Sequence, residues 1–178
     1  DPEIEVEPSC IAEAHLANEI LQRKAKDERA LVMTTTKAAA EELTARLQSQ
    51  DIRCFWMHEG LTTDERRQRL HEIRYGDCDV IVGCNLLREG LDLPMVSLVA
   101  ILNADTKGFL RDETSLIQMI GRAARHANGK AIMYANTVTG AMSRAIQLTR
   151  RRRRLQQEHN RRNGGRSATV PASQLKSA

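Results

Sequence analysis

The chain has 178 residues, of which 41% are hydrophobic and only 3% aromatic, and a formal net charge of +4. This length suits one domain with an aliphatic core, and so few aromatic residues make recognition of bases by stacking an unfavoured function. No apolar run approaches the roughly 18 residues of a membrane-spanning helix, and the four cysteines form no CxxC pair, so neither a membrane protein nor a metal site is predicted.

Predicted strands alternate with predicted helices along the whole chain. Residues 1–8 are acidic and bounded by prolines, which indicates a linker or an edge strand, and Ser9 is expected to cap a first helix. The apolar positions of that helix are Ile11, Leu16, Ile20 and Leu21. Further strands are predicted at residues 30–34, 52–57, 79–83, 97–102 and 130–134, with helices at about 38–49, 62–75, 85–90 and 113–124. This alternation predicts an α/β domain with a mostly parallel sheet covered on both faces.

Ligands of such sheets bind beyond the carboxyl ends of the strands. The polar segments that follow the predicted strands are therefore expected to meet at one edge of the sheet. These segments are residues 34–37, 58–60, 83–92 and 103–112.

The charge is distributed unevenly. Residues 144–178 hold ten cations and one acid, whereas residues 1–143 hold 17 cations and 22 acids. We expect an α/β domain over residues 9–143, a basic helix over residues 144–165 and a disordered tail over residues 166–178. The basic helix indicates a nucleic-acid or acidic-protein partner, and the alternative is a solvated arginine-rich helix.

The run Gln118-Met-Ile-Gly-Arg-Ala-Ala-Arg125 places two arginines three residues apart, on one face of a predicted helix. Guanidinium groups match phosphate oxygens, and in enzymes that hydrolyse nucleoside triphosphates such arginines stabilise the charge that develops on the γ-phosphate. The alternative is an amphipathic helix with two solvated arginines.

Residues 83–92 form a second constellation, in which a strand end, a turn and a short helix lead to an acid. It could place Asn85 and Arg88 against a phosphate backbone and Asp92 near a ribose or the arginine pair. Followed about 25 residues later by Gln-x-x-Gly-Arg-x-x-Arg, this is the order of motifs V and VI in superfamily 2 helicases.

Longer runs of the sequence resemble the UvrB family of bacterial excinuclease subunits. They are residues 1–6, 82–94, 97–102, 107–111, 115–118, 121–125 and 128–130, so that the resemblance covers about residues 1–165. It implies a RecA-like three-layer domain of the P-loop NTPase fold, the second motor domain, which closes over ATP and Mg²⁺ held mainly by a first motor domain. DNA would cross both domains, the partners would be excinuclease subunits A and C, and the setting would be cytoplasmic nucleotide excision repair within the SOS response.

The resemblance also implies roles for individual residues. Arg122 and Arg125 would face the γ-phosphate, and Gln118 would help to set that motif. Gly90 and Asp92 would lie on the nucleotide side of motif V.

Other residues are assigned to DNA. Asn85 and Arg88 would lie toward DNA or the cleft between the domains, although Arg88 could instead form an ion pair with Glu89 or Asp92. The segment Thr34, Thr36 and Lys37 matches a Thr-Thr-x-Thr-Lys segment of the family whose hydroxyls and amine suit a backbone phosphate. Thr36 has an alternative role as a helix cap.

The sequence departs from the family pattern at a few positions. Glu59 and Gly60 stand where the family has Ser and an acid, Asn103 replaces the first acid of an Asp-Ala-Asp run, and Met95 and Met119 replace polar or smaller residues. These changes leave the arginine pair untouched and indicate a divergent member.

No Gly-x-x-x-x-Gly-Lys-Ser/Thr loop and no Asp-Glu pair after a strand is present. The chain alone is therefore not expected to hydrolyse ATP appreciably. The alternative function is a free-standing or degenerate DNA- or protein-binding module without ATPase activity.

Overall fold

Six strands form one parallel sheet in the computed structural model, which describes residues 1–58, 60–84, 93–108 and 110–163. The strands are β1 (Glu3–Glu7), β2 (Arg29–Met33), β3 (Cys54–Met57), β4 (Val80–Gly83), β5 (Val96–Ile101) and β6 (Lys130–Tyr134). Their order is β1-β6-β5-β2-β4-β3, and each neighbouring pair within the described ranges runs parallel. The predicted α/β class with a mostly parallel sheet is confirmed.

Among the described residues, five helices cover the sheet: α1 (Ala12–Lys24), α2 (Lys37–Gln48), α3 (Thr63–Tyr75), α4 (Glu113–Ile120) and α5 (Gly140–Asn163). Alternate residues of each strand face opposite sides, so Ala30 and Val32 pack with α1 and α2, whereas Leu31 and Met33 join the apolar cluster that includes residues of α3, α4 and α5. The domain therefore has the three layers expected of a RecA-like fold.

Residues 3–7 are the edge strand β1. Glu3 pairs in register with Lys130 and Glu7 with Tyr134, so the acidic N-terminal segment is hydrogen-bonded to the last strand of the sheet. The main-chain N–H of Glu3 also donates to the carbonyl of Gly129, at 2.8 Å. The start of β1 thus lies beside the segment that leads into β6.

The prediction that Ser9 caps the first helix is wrong. Ser9–Ile11 form a short 3₁₀ turn and α1 begins at Ala12, while the Ser9 hydroxyl is buried without a hydrogen-bond partner among the described residues. Leu16 and Ile20 are buried, but Leu21 is 46% exposed because it lies about 100° further round the helix than Ile20. Ile11, which belongs to the preceding turn, is also exposed.

The residue that caps α3 is Thr62. Its hydroxyl accepts from the N–H of Glu65 at 3.3 Å, and the Glu65 carboxylate accepts from the N–H of Thr62 at 2.8 Å. This reciprocal pair satisfies donors that the first turn of a helix would otherwise leave unpaired.

Helix α5 differs in character between its two halves. It begins at Gly140, so the boundary expected between residues 143 and 144 falls inside its first turn. Met142, Ala145 and Thr149 are buried, and Arg144 forms an ion pair of 2.6 Å with Glu113 of α4. From residue 150 onward nearly all side chains are exposed.

The exposed half of α5 leaves the domain at the edge where the strands begin. Arg153, the half-buried member of its arginine run, donates to the main-chain carbonyl of Asp1 at 3.3 Å, and Asp1 immediately precedes β1. The tail predicted to be disordered, residues 166–178, lies outside the described residues. Within the described ranges, no helix is both long and apolar enough to cross a membrane.

Candidate functional site

The segment after β2 is organised by its threonines. Thr34 is only 1% exposed, and its hydroxyl donates to the carbonyl of Thr36 at 3.0 Å. The Thr36 hydroxyl accepts from the N–H of Ala39 at 3.1 Å, which is the helix-cap role that the sequence left open. Lys37 begins α2 and is exposed. Thr34 therefore shapes this loop from inside, and Lys37 is its exposed cation.

The predicted segment that follows β3 begins at the same edge of the sheet. After β3, the His58 ring stacks on Trp56 with centroids 4.2 Å apart, and its Nδ1 accepts from the N–H of Gly60 at 3.2 Å. After β4, four predicted site residues lie outside the described residues: Asn85, Arg88, Gly90 and Asp92. The alternative ion pair of Arg88 with Glu89 or Asp92 falls there too.

The segment after β5 is closed by a buried arginine that the sequence did not single out. Arg111 is 6% exposed and donates to the main-chain carbonyls of Leu102, Asn103 and Leu110, at 2.8, 3.2 and 3.0 Å. Burial lowers the pKa of this guanidinium from its ordinary value. A planar group with five donors suits such a cluster of carbonyls, so Arg111 fixes the loop that leads into α4.

Asp105 is also committed to structure. Its carboxylate accepts from the N–H groups of Asn136 and Thr137, at 2.9 and 3.2 Å. It therefore ties the loop after β5 to the loop after β6. In the described part of the chain, no group of three or more His, Cys, Asp or Glu side chains is placed to hold a metal ion.

The sequence predicted both arginines on one α-helix, but the structure does not place them on a continuous helix. α4 ends at Ile120, Gly121–Ala123 form a 3₁₀ turn, and Arg125 lies in the turn that follows. Ala123 is fully buried, because the 3₁₀ turn packs against β5. Arg122 is half-buried, whereas Arg125 and Gln118 are exposed. The two arginines therefore flank a residue that is anchored in the core.

The structure places the arginine pair and the Thr34–Lys37 loop at opposite edges of the sheet. Residues 121–129 lead into the start of β6 and contact residues just before or at the start of other strands, as the 2.8 Å bond from Glu3 to Gly129 shows. The loop after β2 is at the other edge, about 16 Å away along a five-residue strand. Among the described residues, the candidates thus fall into two groups: the Thr34–Lys37 loop at the carboxyl end of β2, and the arginine pair where the strands begin.

Comparisons with known proteins identify the family to which the chain belongs. The family model for the helicase conserved C-terminal domain matches residues 12–127. The chain belongs to this family of helicase C-terminal domains. A second model, for ultra-violet resistance protein B, matches residues 133–173, which include the last two residues of β6 and all of α5.

Curated relatives specify the kind of helicase domain. The chain is 57% identical over 151 residues to UvrABC system protein B of Pseudomonas aeruginosa and 56% identical over 151 residues to that of Thermotoga maritima. Each match covers 85% of this chain but only 22% and 23% of the relative. The protein of the same name from Pseudomonas fluorescens is 49% identical and matches 99% of this chain and 28% of its own length. The resemblance to the UvrB family is confirmed, and the chain spans about a quarter of these relatives.

Solved structures support the fold. The C-terminal domain of the DEAD-box protein Dbp5 superposes with a TM-score of 0.64 at 22% identity, covering 85% of this chain and 84% of that one. The Mycobacterium smegmatis helicase Lhr gives a TM-score of 0.66 at 16% identity, covering 83% of this chain and 22% of that one. At such identities the likeness concerns the fold alone, and the fold is that of a second helicase motor domain.

Proposed function

We propose that this chain is the second motor domain of a UvrB-type protein, which uses ATP to load and verify damaged DNA during nucleotide excision repair. The observation that carries the proposal is the arginine pair, held on either side of the buried Ala123 at an edge of the sheet distinct from the Thr34–Lys37 loop. One edge would serve the nucleotide and the other the DNA strand. Closure of the two motor domains would couple the binding of the nucleotide at one edge to the binding of DNA at the other.

The donor set at the arginine edge fits a nucleoside triphosphate. Arg122 and Arg125 supply planar, permanently charged donors for γ-phosphate oxygens, and Gln118 adds a neutral amide on the exposed side of α4. When bound, ATP supplies the phosphoanhydride bond whose cleavage drives the cycle. Magnesium prefers carboxylate oxygens, and since Asp105 is engaged by Asn136 and Thr137, we assign the metal to the first motor domain.

The opposite edge fits a nucleic-acid backbone. Lys37 is exposed at the first position of α2, where the N-terminus of the helix also favours a phosphate. The buried Thr34 would act by holding the loop, and Thr36 by capping α2. We keep Asn85 and Arg88 as DNA contacts, and Gly90 and Asp92 as nucleotide-side residues, on the strength of the motif order in the sequence.

The partners follow from the names of the relatives. Proteins called UvrABC system protein B belong to a three-part system, and we propose that the longer protein works with excinuclease subunits A and C, in the cytoplasm. The SOS response remains part of this proposal. The divergent residues Met95 and Met119 leave these roles in place, because both side chains are buried in the core rather than exposed at either edge.

A chimera tests this proposal directly. The chain replaces the matching segment of the Pseudomonas aeruginosa relative, with which it shares 57% identity. We expect ATP turnover that increases when single-stranded DNA is added, measured by phosphate release. A folded chimera that hydrolyses no ATP would overturn the proposed function. If the rate of ATP hydrolysis did not change when single-stranded DNA is added, the proposed coupling of hydrolysis to DNA binding would be wrong.

The basic half of α5 is expected to add a sequence-independent DNA contact. Arg151 and Arg154 are exposed, as are Arg67 and Arg74 on α3, so each pair can be changed to glutamine with the same loss of charge. If α5 neutralises phosphates, the R151Q/R154Q variant lowers the salt slope of single-stranded DNA binding by about 1.4, since each lost phosphate contact removes about 0.7. The R67Q/R74Q control keeps its slope. Fluorescence anisotropy of this chain with a labelled oligonucleotide measures both, and equal slopes in the two variants would mean that α5 is only a solvated face.

A further inference from the structure

Six charged or titratable side chains form a polar cluster where the strands begin: Glu5, Glu19, Arg23, Glu28, His126 and Lys130. Arg23 contacts Glu19 at 3.0 Å and Glu28 at 3.9 Å, and Lys130 contacts Glu5 at 2.8 Å and Glu19 at 3.3 Å. Apart from Glu5, their side chains are at most 17% exposed. The cluster joins α1, β1 and β6 to the residue that follows Arg125.

His126 is the member of the polar cluster that belongs to the arginine segment. Its Nε2 lies 3.7 Å from a carboxylate oxygen of Glu28, and its Nδ1 accepts from the N–H of Asn128 at 3.2 Å. Because Nδ1 accepts, the ring proton is placed on Nε2, facing Glu28. Burial lowers the pKa of His126, while the charge of Glu28 opposes this effect and that of Arg23 adds to it.

Main-chain hydrogen bonds connect His126 to the turn that holds the arginines. The N–H of His126 donates to the carbonyl of Ala123 at 3.2 Å. The N–H of Ala124 donates to the carbonyl of Gly121 at 3.1 Å, and the N–H of Gly129 donates to the main-chain carbonyl of His126 at 3.0 Å. Residues 121–129 are therefore a chain of short closed turns. The main chain of His126 is thus hydrogen-bonded to the turn that holds Arg125.

We propose that Glu28 and His126 are positioning residues for the arginine pair, holding the turn of Arg122 and Arg125 at the angle needed to reach the γ-phosphate. Neither side chain touches the nucleotide in this proposal, which rests on the proposed function. Glu28 immediately precedes β2, the strand whose other end leads into the Thr34–Lys37 loop. The same strand thus joins the support of the arginine turn to the DNA edge.

Asp79 provides a matched control for a merely structural role. It is a buried carboxylate at the same edge of the sheet, 1% exposed in its side chain, and it contacts Arg53 and Lys24. The D79N variant removes a buried charge from an ion-paired cluster without altering Glu28 or His126. It is expected to lower stability and to leave ATP turnover per folded molecule unchanged.

The test measures ATP turnover in the chimera that carries the whole of this chain. E28A and H126A are each expected to lower kcat about 10-fold with little change in KM for ATP, because misplacing a catalytic group by a fraction of an ångström costs rate rather than ground-state binding. The double variant should be no slower than either single one, since both changes break the same support. E28Q, which keeps an acceptor oxygen beside Nε2, should retain most of the turnover.

The outcomes separate this inference from the function on which it rests. If R122A abolishes turnover while E28A lowers only the unfolding midpoint, as D79N does, the positioning role is overturned and the proposed function stands. Independent, multiplicative losses in E28A and H126A would also overturn the coupling. If R122A leaves turnover unchanged, the proposed function itself fails.

Discussion

Replacing Arg122 by alanine in the chimera is expected to lower kcat for ATP hydrolysis by about 1,000-fold, and R125A is expected to lower it strongly as well. An arginine that reaches the transferred phosphoryl group stabilises charge that exists mainly in the transition state, and such arginines contribute about 10³-fold or more to the rate. Arg122 is half-buried beside the fully buried Ala123, so its guanidinium starts from a defined backbone position. Binding of ATP should change far less than turnover.

Folding and charge must be controlled in this experiment. R67A removes an exposed arginine from α3, far along the chain from the turn, and should leave kcat unchanged. Urea unfolding of this chain should give R122A a midpoint close to that of the unsubstituted chain. Turnover in R122A equal to that in R67A would remove the arginine pair from the mechanism.

Sequence patterns predicted the strands well, because the core strands are short apolar runs set between turn residues. The strands predicted at residues 97–102 and 130–134 are β5 at Val96–Ile101 and β6 at Lys130–Tyr134. The cap at Thr62 was also predictable, because a capping box is a local device whose two partners are three residues apart.

The same patterns could not reveal interactions between distant segments. The pairing of Glu28 with His126 spans nearly one hundred residues, and Arg111 reaches back to the end of β5, so neither is marked by local spacing. The helical spacing of Leu116 and Ile120 continues to Ala123, so the sequence predicted one helix to about residue 124. The chain nevertheless leaves the α-helix at Gly121, where a 3₁₀ turn packs against β5. The opposite placement of the arginine pair and the Thr34–Lys37 loop follows from α4, which returns the chain to the beginning of the sheet before this turn.

Gly129 closes that turn, and its replacement by alanine is expected to be the most damaging single methyl addition in the segment. A Cβ at this position would lie 2.1 Å from the main-chain oxygen of Ala123 and 3.1 Å from that of His126. Ala123 is fully buried and the Gly129 carbonyl is held by Glu3, so neither strand β6 nor the 3₁₀ turn can yield without disturbing the core. We expect a loss of about 3 kcal/mol in the free energy of unfolding, at the upper end of what overpacking usually costs.

Gly121 offers the matched comparison, because it opens the same turn and has ordinary right-handed dihedral angles. Among the described residues nothing lies within 4 Å of a Cβ built there. G121A should therefore be neutral or stabilise the chain by up to about 1 kcal/mol, as alanine restricts the unfolded state more than glycine does. With an m value of about 2 kcal/mol per molar urea, G129A lowers the midpoint by about 1.5 M and G121A leaves it unchanged or raised. Equal midpoints would show that the segment is loose enough to admit a methyl group, and a loose segment could not hold Arg122 and Arg125 in a fixed position.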